Sequence, residues 1–312
     1  MKKLFVLLIL SLSILGYFCA GYCQSSYTMI TQIGEFGNKP GQFKYPTMII
    51  ADASSNIYVV DQNNHRIQKF DAQGNFILMW GGLGENPGLF NYPYGIAIDP
   101  NGDVYVSDLN NHRIQKFSAK GEFLKTTGVY GTDDGQFKHP YGIVADDENN
   151  LYVVDAFNYR IQIFDQDLNF KSCWGSEEQI GFRIYMPHEI TIDQNDNLVL
   201  SDRQNHRLSV FTSSGELVDR WGEYGEGART PGDLFSEPHG IAAAPNGELF
   251  VCDRYNFRIQ VFDSNHQFQT AWETSGPFDD SKQFVLGITI APDSSVYITD
   301  HYQHCVQKYI KY

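Results

Sequence analysis

The sequence has 312 residues, of which 37 are acidic and 23 are basic, so its formal net charge is −14. This length permits a single domain, because all-β barrels and propellers routinely use this many residues in one unit. A uniformly acidic surface repels phosphate backbones, which argues against a nucleic-acid-binding protein.

The N-terminal segment has the layout of a secretory signal peptide. Lys2 and Lys3 precede an apolar run that starts at Leu4 and continues to Ala20. We expect residues 1–23 to be removed and the protein to be exported to the periplasm, the extracellular space or the secretory pathway. Cleavage after Gly21 and after Cys23 both fit. A retained signal anchor or a lipid-modified Cys23 would instead attach the protein to a membrane.

Removal of residues 1–23 takes away two lysines and no acid, so the mature chain carries a net charge of −16. It keeps Cys173, Cys252 and Cys305, whose spacing matches neither a metal knuckle nor a paired disulfide framework. We expect each of these cysteines to pack as a small hydrophobic residue. Residues 24–312 are predicted to form one domain.

The first predicted strand covers Tyr27–Ile33. It precedes the segment GEFGNKPGQF, which resembles GGLGENPGLF further along the chain and so aligns Ile33 with Trp80 and Gly34 with Gly81. The strand therefore corresponds to the last strand of a repeating unit, but no other part of such a unit precedes it.

An internal repeat runs through the rest of the chain. Six short apolar segments end in an Asp, with spacings of 47, 47, 47, 51 and 47 residues: Asp61, Asp108, Asp155, Asp202, Asp253 and Asp300. Their contexts are IYVVDQNNHRIQKF, VYVSDLNNHRIQKF, LYVVDAFNYRIQIF, LVLSDRQNHRLSVF, LFVCDRYNFRIQVF and VYITDHYQHCVQKY. A period of this size is typical of solenoids and propellers.

These six segments resemble the NHL-repeat family. The resemblance implies an all-β fold, a six-bladed β-propeller with four antiparallel strands in each blade. In the second repeat the strands are predicted at Gly95–Asp99, Val104–Asp108, Arg113–Ser118 and Glu122–Thr127, separated by turn residues. Side chains such as Ile114, Phe117 and Phe123 are expected to lie between neighbouring sheets, because a blade cannot bury both faces alone.

The sixth repeat stops at Tyr312, after its third strand. The strand at Tyr27–Ile33 would supply the missing fourth strand by pairing with Cys305 to Ile310, which closes the ring.

Each repeat Asp except Asp300 is followed five residues later by an arginine, namely Arg66, Arg113, Arg160, Arg207 and Arg258. A reaction centre needs one unique arrangement, whereas this pair occurs five times, so we interpret it as a structural lock of the intervening loop. The asparagines of that loop are interpreted as turn caps: Asn64, Asn111, Asn158, Asn205 and Asn256.

Functional residues are sought where the repeats differ. Five arginines lie outside the repeat pattern, all between the start of repeat four and the middle of repeat five: Arg183, Arg203, Arg220, Arg229 and Arg254. A second difference lies at the start of the innermost strand, where the repeats carry Thr47, Tyr94, Tyr141, His188, His239 and Leu286. These side chains are expected at the mouth of the central channel.

We predict a ligand-binding site at this mouth, formed by Tyr94, Tyr141, His188, Arg203, His239, Arg254 and His301. Arginine presents a planar fork that suits a carboxylate. The predicted function is a binding or scaffold module for a peptide, glycan or protein, monomeric and without a cofactor. The alternative interpretation is that His and Tyr merely plug the channel while the arginines are solvated.

An enzyme is the competing hypothesis. The segments MPHEITI, GELVDRWGEYGEG and PHGIAAAPNGELFVCDRYNFRIQVF resemble the peptidyl-α-hydroxyglycine α-amidating lyases, and this resemblance implies zinc on His188 and His239 with Arg254 near the substrate. Those lyases place three zinc histidines on alternate blades, whereas His188 and His239 are on adjacent blades, and a catalytic zinc needs a third protein ligand. Intracellular NHL proteins that bind RNA are also similar, but RNA binding relies on a basic face.

Overall fold

The structure is a computed structural model that describes residues 27–175, 181, 183–227, 232–274 and 284–312. The predicted signal peptide, Cys23 and Arg229 lie outside the described residues. Within the described ranges, no helix is both long and apolar enough to span a membrane.

The described chain forms six four-stranded antiparallel sheets, which are the predicted blades. The first strand of each blade is innermost: Pro46–Ala51, Pro93–Ile98, Pro140–Ala145, Pro187–Ile192, Pro238–Ala243 and Val285–Ile290. The second strands end in the repeat Asp: Ile57–Asp61, Val104–Asp108, Leu151–Asp155, Leu198–Asp202, Leu249–Asp253 and Val296–Asp300.

The third strands are Arg66–Phe70, Arg113–Phe117, Arg160–Phe164, Arg207–Phe211, Arg258–Phe262 and Cys305–Lys311. The fourth strands of blades one to five are Phe76–Gly81, Phe123–Thr127, Phe170–Trp174, Leu217–Trp221 and Phe268–Glu273. In addition, Glu223–Tyr224 pairs in parallel with Leu234–Phe235. Short 3₁₀ turns follow the second strands at Gln62–Asn64, Leu109–Asn111, Ala156–Asn158, Arg203–Asn205 and Arg254–Asn256.

The ring closes as the sequence predicted. Tyr27–Ile33 pairs antiparallel with Cys305–Lys311, with Tyr27 opposite Lys311 and Ile33 opposite Val306. Tyr27 also stacks on Trp272 of blade five, with ring centroids 4.5 Å apart. The first segment of the described chain thus completes blade six and packs it against its neighbour.

The six innermost strands contact one another around a common axis. Their close approach explains why the third residue of four of these strands is glycine. A Cβ on Gly95 would stand 2.2 Å from the carbonyl oxygen of Tyr141, and a Cβ on Gly240 would stand 2.3 Å from that of Leu286. Blades one and four depart from this pattern, with Met48 and Glu189 at the same position.

The core lies between neighbouring blades. One cluster joins Tyr58 and Ile67 of blade one to Val106 and Phe117 of blade two. Ile114 and Phe117 are fully buried, as expected. Phe123 is 38% exposed, so the expectation that it lies between two sheets was wrong. It belongs to the outermost strand, which has no fifth strand to cover it, and it contacts Phe117 edge-on.

The repeated Asp and Arg form the predicted lock. In blade five, Arg258 Nε donates to Asp253 Oδ2 at 2.8 Å while both side chains are almost completely buried. The loop asparagine joins this lock, since Asn256 Nδ2 donates to Asp253 Oδ2 and to the carbonyl oxygen of Gly225. The same ion pair recurs in blades one to four. The three cysteines of the described chain are free thiols.

Candidate functional site

Two faces of the ring are distinguished by their loops. We call the upper face the one that carries the 3₁₀ turns between second and third strands, and the lower face the one that carries the turns between first and second strands. The predicted site residues lie on or just below the upper face. The repeat Asp pairs with the first residue of the innermost strand and is followed directly by the first residue of the 3₁₀ turn. The start of each innermost strand and the start of each 3₁₀ turn therefore lie close together on this face.

Tyr94, His188 and His239 fill the channel rather than line an open mouth. They are 5%, 4% and 2% exposed. The Tyr94 hydroxyl reaches across from blade two to His188 Nδ1 at 3.0 Å and to His239 Nε2 at 3.0 Å. Tyr141 packs against both Tyr94 and His188, with ring centroids 4.5 and 4.4 Å away. We call Tyr94, His188 and His239 the plug.

The hydrogen bonds of the plug have a defined direction. Arg203 Nη1 lies 2.9 Å from His188 Nε2, and a guanidinium can only donate. His188 must therefore accept at Nε2 and carry its proton on Nδ1, which points at the Tyr94 hydroxyl. That hydroxyl is then free to donate to His239. This arrangement requires a neutral His188.

Burial enforces the same charge state. It lowers the pKa of His188 well below its ordinary value, and the nearby charges of Arg203 and Arg254 lower it further. Burial likewise lowers the pKa of His239, and His188 and the two arginines add to the effect. For Tyr94, burial raises the pKa well above its ordinary value. The plug is thus uncharged at neutral pH.

Two arginines stand directly above the plug and share one carboxylate. Arg203 binds Glu237 Oε2 through Nε at 2.7 Å and also through Nη2, and Arg254 Nη1 lies 3.5 Å from the same oxygen. The Nε of Arg254 is buried without a hydrogen-bond partner. We call Arg203, Arg254 and Glu237 the fork. It holds two positive charges against a single negative charge.

His301 lies at the side of this arrangement. Its Nδ1 is 3.1 Å from the carbonyl oxygen of Pro46, and its ring packs against Tyr45 at 5.1 Å. Burial lowers its pKa to about 4, so it too is neutral. The sequence-predicted residues therefore divide into a neutral plug with Tyr141, two fork arginines, and His301 beside them.

The other arginines outside the repeat pattern do not join the fork. Arg183 lies over the rings of Tyr159 and Tyr185, at 4.1 and 5.1 Å from their centroids. Arg220 is on the outermost strand of blade four. The concentration of arginines in the sequence therefore contributes only Arg203 and Arg254 to this site among the described residues.

Two acidic residues of the site were missed from the sequence. Glu237 precedes the proline of blade five, where other blades carry Tyr45, Tyr92, His139, Met186 and Phe284. Glu189 stands in the channel wall where four blades have glycine, and its Oε2 is buried without a partner. Comparing the repeats one position after the chosen one would have found Glu189, and comparing them two positions before it would have found Glu237.

The zinc that the lyase resemblance implies can be tested against these residues. His188 and His239 are adjacent, with ring centroids 4.3 Å apart, but both direct a nitrogen at the Tyr94 hydroxyl. In the part of the chain that the structure describes, no group of three or more His, Cys, Asp or Glu could hold a metal ion. These side chains do not fit a three-ligand zinc centre, and we derive no zinc chemistry from them.

The family comparison agrees with the repeat. The NHL repeat family model matches residues 90–117, 185–211 and 235–262, which fall on blades two, four and five. The chain is therefore a six-bladed β-propeller that contains NHL repeats.

Curated relatives match over short stretches. The protein brain tumor of Drosophila melanogaster is 46% identical over 50 residues, which is 16% of this chain and 5% of that protein. The B-box type zinc finger protein ncl-1 of Caenorhabditis elegans is 47% identical over 45 residues, or 14% and 5% of the two chains. The chain thus spans only a small part of these relatives.

Solved structures match over almost the whole chain. A streptogramin B lyase is 15% identical with a TM-score of 0.64, covering 91% of this chain and 97% of that one. Virginiamycin B lyase from Staphylococcus aureus, in a catalytically inactive form with quinupristin, is 13% identical with a TM-score of 0.64, covering 91% and 99%. A protein of unknown function from Bacteroides thetaiotaomicron is 17% identical with a TM-score of 0.66, covering 91% and 75%. At these identities the likeness concerns the fold alone.

Proposed function

We propose that this NHL-repeat β-propeller is a binding module that holds a carboxylate of a peptide, glycan or protein ligand on its upper face, between Arg203 and Arg254. One observation carries the proposal: two arginines share a single carboxylate oxygen of Glu237, although the protein as a whole is strongly acidic. An acidic protein has no general need for such a cationic pair.

The surroundings favour a carboxylate at this point. Both arginine side chains are 17% exposed, so their charges are only partly screened by water while their ends remain accessible. Arg254 Nε is buried without a hydrogen-bond partner, so the hydrogen-bonding capacity of this guanidinium is not fully used within the protein. Planar guanidinium groups bind carboxylates through two parallel hydrogen bonds, which a lysine cannot provide.

The plug supplies the floor of the site. Because Tyr94, His188 and His239 are hydrogen-bonded to one another across the axis, a ligand on the fork cannot pass into the channel. Because His188 and His239 are uncharged, the positive charge that attracts a ligand to the fork comes from its two arginines. The plug therefore orients Arg203 through His188, while the ligand stays on the surface.

Export is a further part of the proposal. Its basis is the signal-like layout of residues 1–23, which lie outside the described residues. A full-length chain produced in a secreting host is expected to appear outside the cytoplasm, shortened by about two dozen residues. N-terminal sequencing of the recovered protein would settle the cleavage site, and recovery of the uncleaved chain in the cytoplasm would contradict export.

The test of the fork uses succinate as a simple carboxylate probe. We expect isothermal titration to detect binding to the purified domain and the double variant Arg203→Ala, Arg254→Ala to weaken it at least tenfold, because charge-assisted hydrogen bonds contribute roughly 1.5–3 kcal/mol each. The matched control, Lys120→Ala with Lys125→Ala, removes the same charge from exposed positions away from the fork. Equal weakening by both variants, or no binding by the unmodified protein, would refute the proposal.

A further inference from the structure

We propose that the ligand of the fork is an extended peptide segment of a partner protein, with one acidic side chain on Arg203 and Arg254 and an adjacent apolar or aromatic side chain in a groove beside them. This inference rests on the proposed function and names its ligand class.

The groove lies between blades four and five on the upper face. It is lined by His206, Tyr224, Glu226, Glu237, Tyr255 and Phe257, among others. Glu237 belongs to both the groove and the fork, so the two are continuous. A chain that places a carboxylate on the fork can therefore lay its next side chain in the groove.

The aromatic walls of the groove are exposed but held in place. Tyr224 is 56% exposed and Tyr255 is 39% exposed. Tyr224 packs against His206 with ring centroids 4.8 Å apart, and Phe284 supports Tyr255 and Phe257 edge-on at 5.6 and 5.3 Å. Rigid, exposed tyrosines next to arginines are the composition of protein-binding hot spots, because little conformational entropy is lost on binding.

The position of Tyr224 is fixed by a feature of this repeat. The parallel pairing of Glu223–Tyr224 with Leu234–Phe235 occurs in the repeat whose spacing is 51 rather than 47 residues. In blades one to three the equivalent contact is a single bridge, such as Leu83 with Phe90. The longer pairing gives this junction a second backbone contact at the edge of the groove.

The charges of the groove exclude a polyanion. Glu226 and Glu237 both line it, so a nucleic acid or a polyuronate would place several negative charges against two carboxylates. A ligand with one carboxylate next to an uncharged group avoids this repulsion. This pattern fits a peptide with a single Asp or Glu beside an apolar residue.

The ring faces favour a peptide over a neutral sugar chain. A sugar stacks on an open aromatic face, but the guanidinium of Arg254 lies 4.7 Å above the ring of Tyr255 and covers one face. Side-chain methyl groups and ring edges fill such walls more readily than a flat sugar does.

Glu237 acts as a resident competitor in this arrangement. Its carboxylate already occupies the position between the two arginines, and its backbone N–H donates to His206 Nδ1 at 3.1 Å. A peptide carboxylate must displace it or share the arginines with it. The variant Glu237→Gln removes the competing charge, so we expect it to bind an acidic peptide several-fold more tightly.

The experiment selects from a displayed library of random twelve-residue peptides on the immobilised domain, with a glycan array in parallel. We expect enrichment of peptides that pair one Asp or Glu with an adjacent apolar residue. Synthetic versions of the enriched peptides should lose at least tenfold in affinity on Tyr224→Ser with Tyr255→Ser. The single variant Tyr224→Ser should leave succinate binding unchanged, because Tyr224 packs on His206, whereas Tyr255 packs on Arg254. Tyr130→Ser, an exposed aromatic at another junction, is the matched control for the groove.

Several results would overturn the inference. They are enrichment without an acidic residue, binding only on the glycan array, or affinity that is insensitive to the two groove tyrosines. If succinate binds the fork but no peptide is enriched, the peptide inference fails and the proposed function stands. If succinate does not bind, the proposed function itself fails.

Discussion

Glu189 is a buried carboxylate in the wall of the channel, one residue below the plug. Its Oε1 receives only a 3.3 Å contact from the backbone N–H of Ile190, and its Oε2 has no partner. Burial raises the pKa of Glu189 to about 8, from an ordinary value of 4.5. The folded protein therefore keeps a proton that the unfolded chain releases.

The pH dependence that follows can be tested with Glu189→Gln. The contribution of Glu189 to the free energy of unfolding is complete below about pH 4.5 and is lost as the pH rises to about 8. Because Gln cannot ionise, the variant should gain stability relative to the unmodified protein between pH 5 and pH 8.5, by a few kcal/mol. Urea unfolding at both pH values measures this difference, and a difference that does not change with pH would contradict the assignment.

The arginines of the repeated lock differ in burial, which predicts unequal effects of their removal. Arg258 is 1% exposed and Arg207 is 20% exposed, although each binds its Asp at 2.8 Å. Arg258→Ala leaves Asp253 charged in a dry environment and should cost roughly 3–5 kcal/mol of unfolding free energy. Arg207→Ala should cost clearly less, since water can reach the vacated position. Equal losses in denaturant titrations would show that burial does not set the strength of the lock.

At the scale of single loops, four histidines join neighbouring blades on the upper face. The Nδ1 atoms of these histidines accept hydrogen bonds from backbone N–H groups of the next blade at 3.1–3.2 Å. The pairs are His65 with Tyr92, His112 with His139, His206 with Glu237, and His304 with Tyr45. Each bond requires an unprotonated Nδ1, because imidazolium has only donors.

These bonds predict acid sensitivity. Burial lowers the pKa of His65, His112 and His304 below the ordinary 6.5. The hydrogen bonds of these histidines therefore contribute to the free energy of unfolding above pH 6.5, and this contribution is lost as the pH falls below that value. Blade three has Tyr159 at the same left-handed position, which supplies a natural replacement. The triple variant His65→Tyr, His112→Tyr, His304→Tyr should be less stable at pH 7, by about 1 kcal/mol for each bond.

The same variant should lose less stability than the unmodified protein between pH 7 and pH 5. Thermal unfolding across this range measures the two slopes. A variant whose slope equals that of the unmodified protein would show that other groups cause the acid sensitivity.

Sequence comparison predicted elements better than it predicted the site. The repeat predicted the closing strand and placed the strands of blade two to within two residues of their observed bounds, because each unit must pair and pack in the same way. Glu237 and Glu189 escaped notice since only one position of the innermost strand was compared between repeats. The filling of the channel by Tyr94 depends on which rotamer reaches across the ring, and periodicity carries no information about rotamers. Whether the predicted site residues bind a ligand stays a prediction.

At the scale of the whole molecule, closure depends on Tyr27–Ile33. Tyr27 is 7% exposed and contacts Trp272 and Phe250 of blade five, so it links blade six to its neighbour. Tyr27→Ala should cost roughly 3–5 kcal/mol, as removal of a large buried aromatic side chain does. Tyr312→Ala is the matched control, since Tyr312 is 85% exposed. Calorimetric melting that gives the same Tm for both variants would mean that the closing strand is not part of the cooperative unit.

The pairing of Tyr27 with Lys311 also determines where attachments can be made. Both residues stand at the lower ends of the third and fourth strands of blade six, on the opposite side of the disc from the fork. Any sequence that adjoins either one departs from that lower edge. A surface tether, an affinity tag or a fused reporter at either position would therefore hold the disc with its arginines facing the surrounding medium, ready to meet a partner.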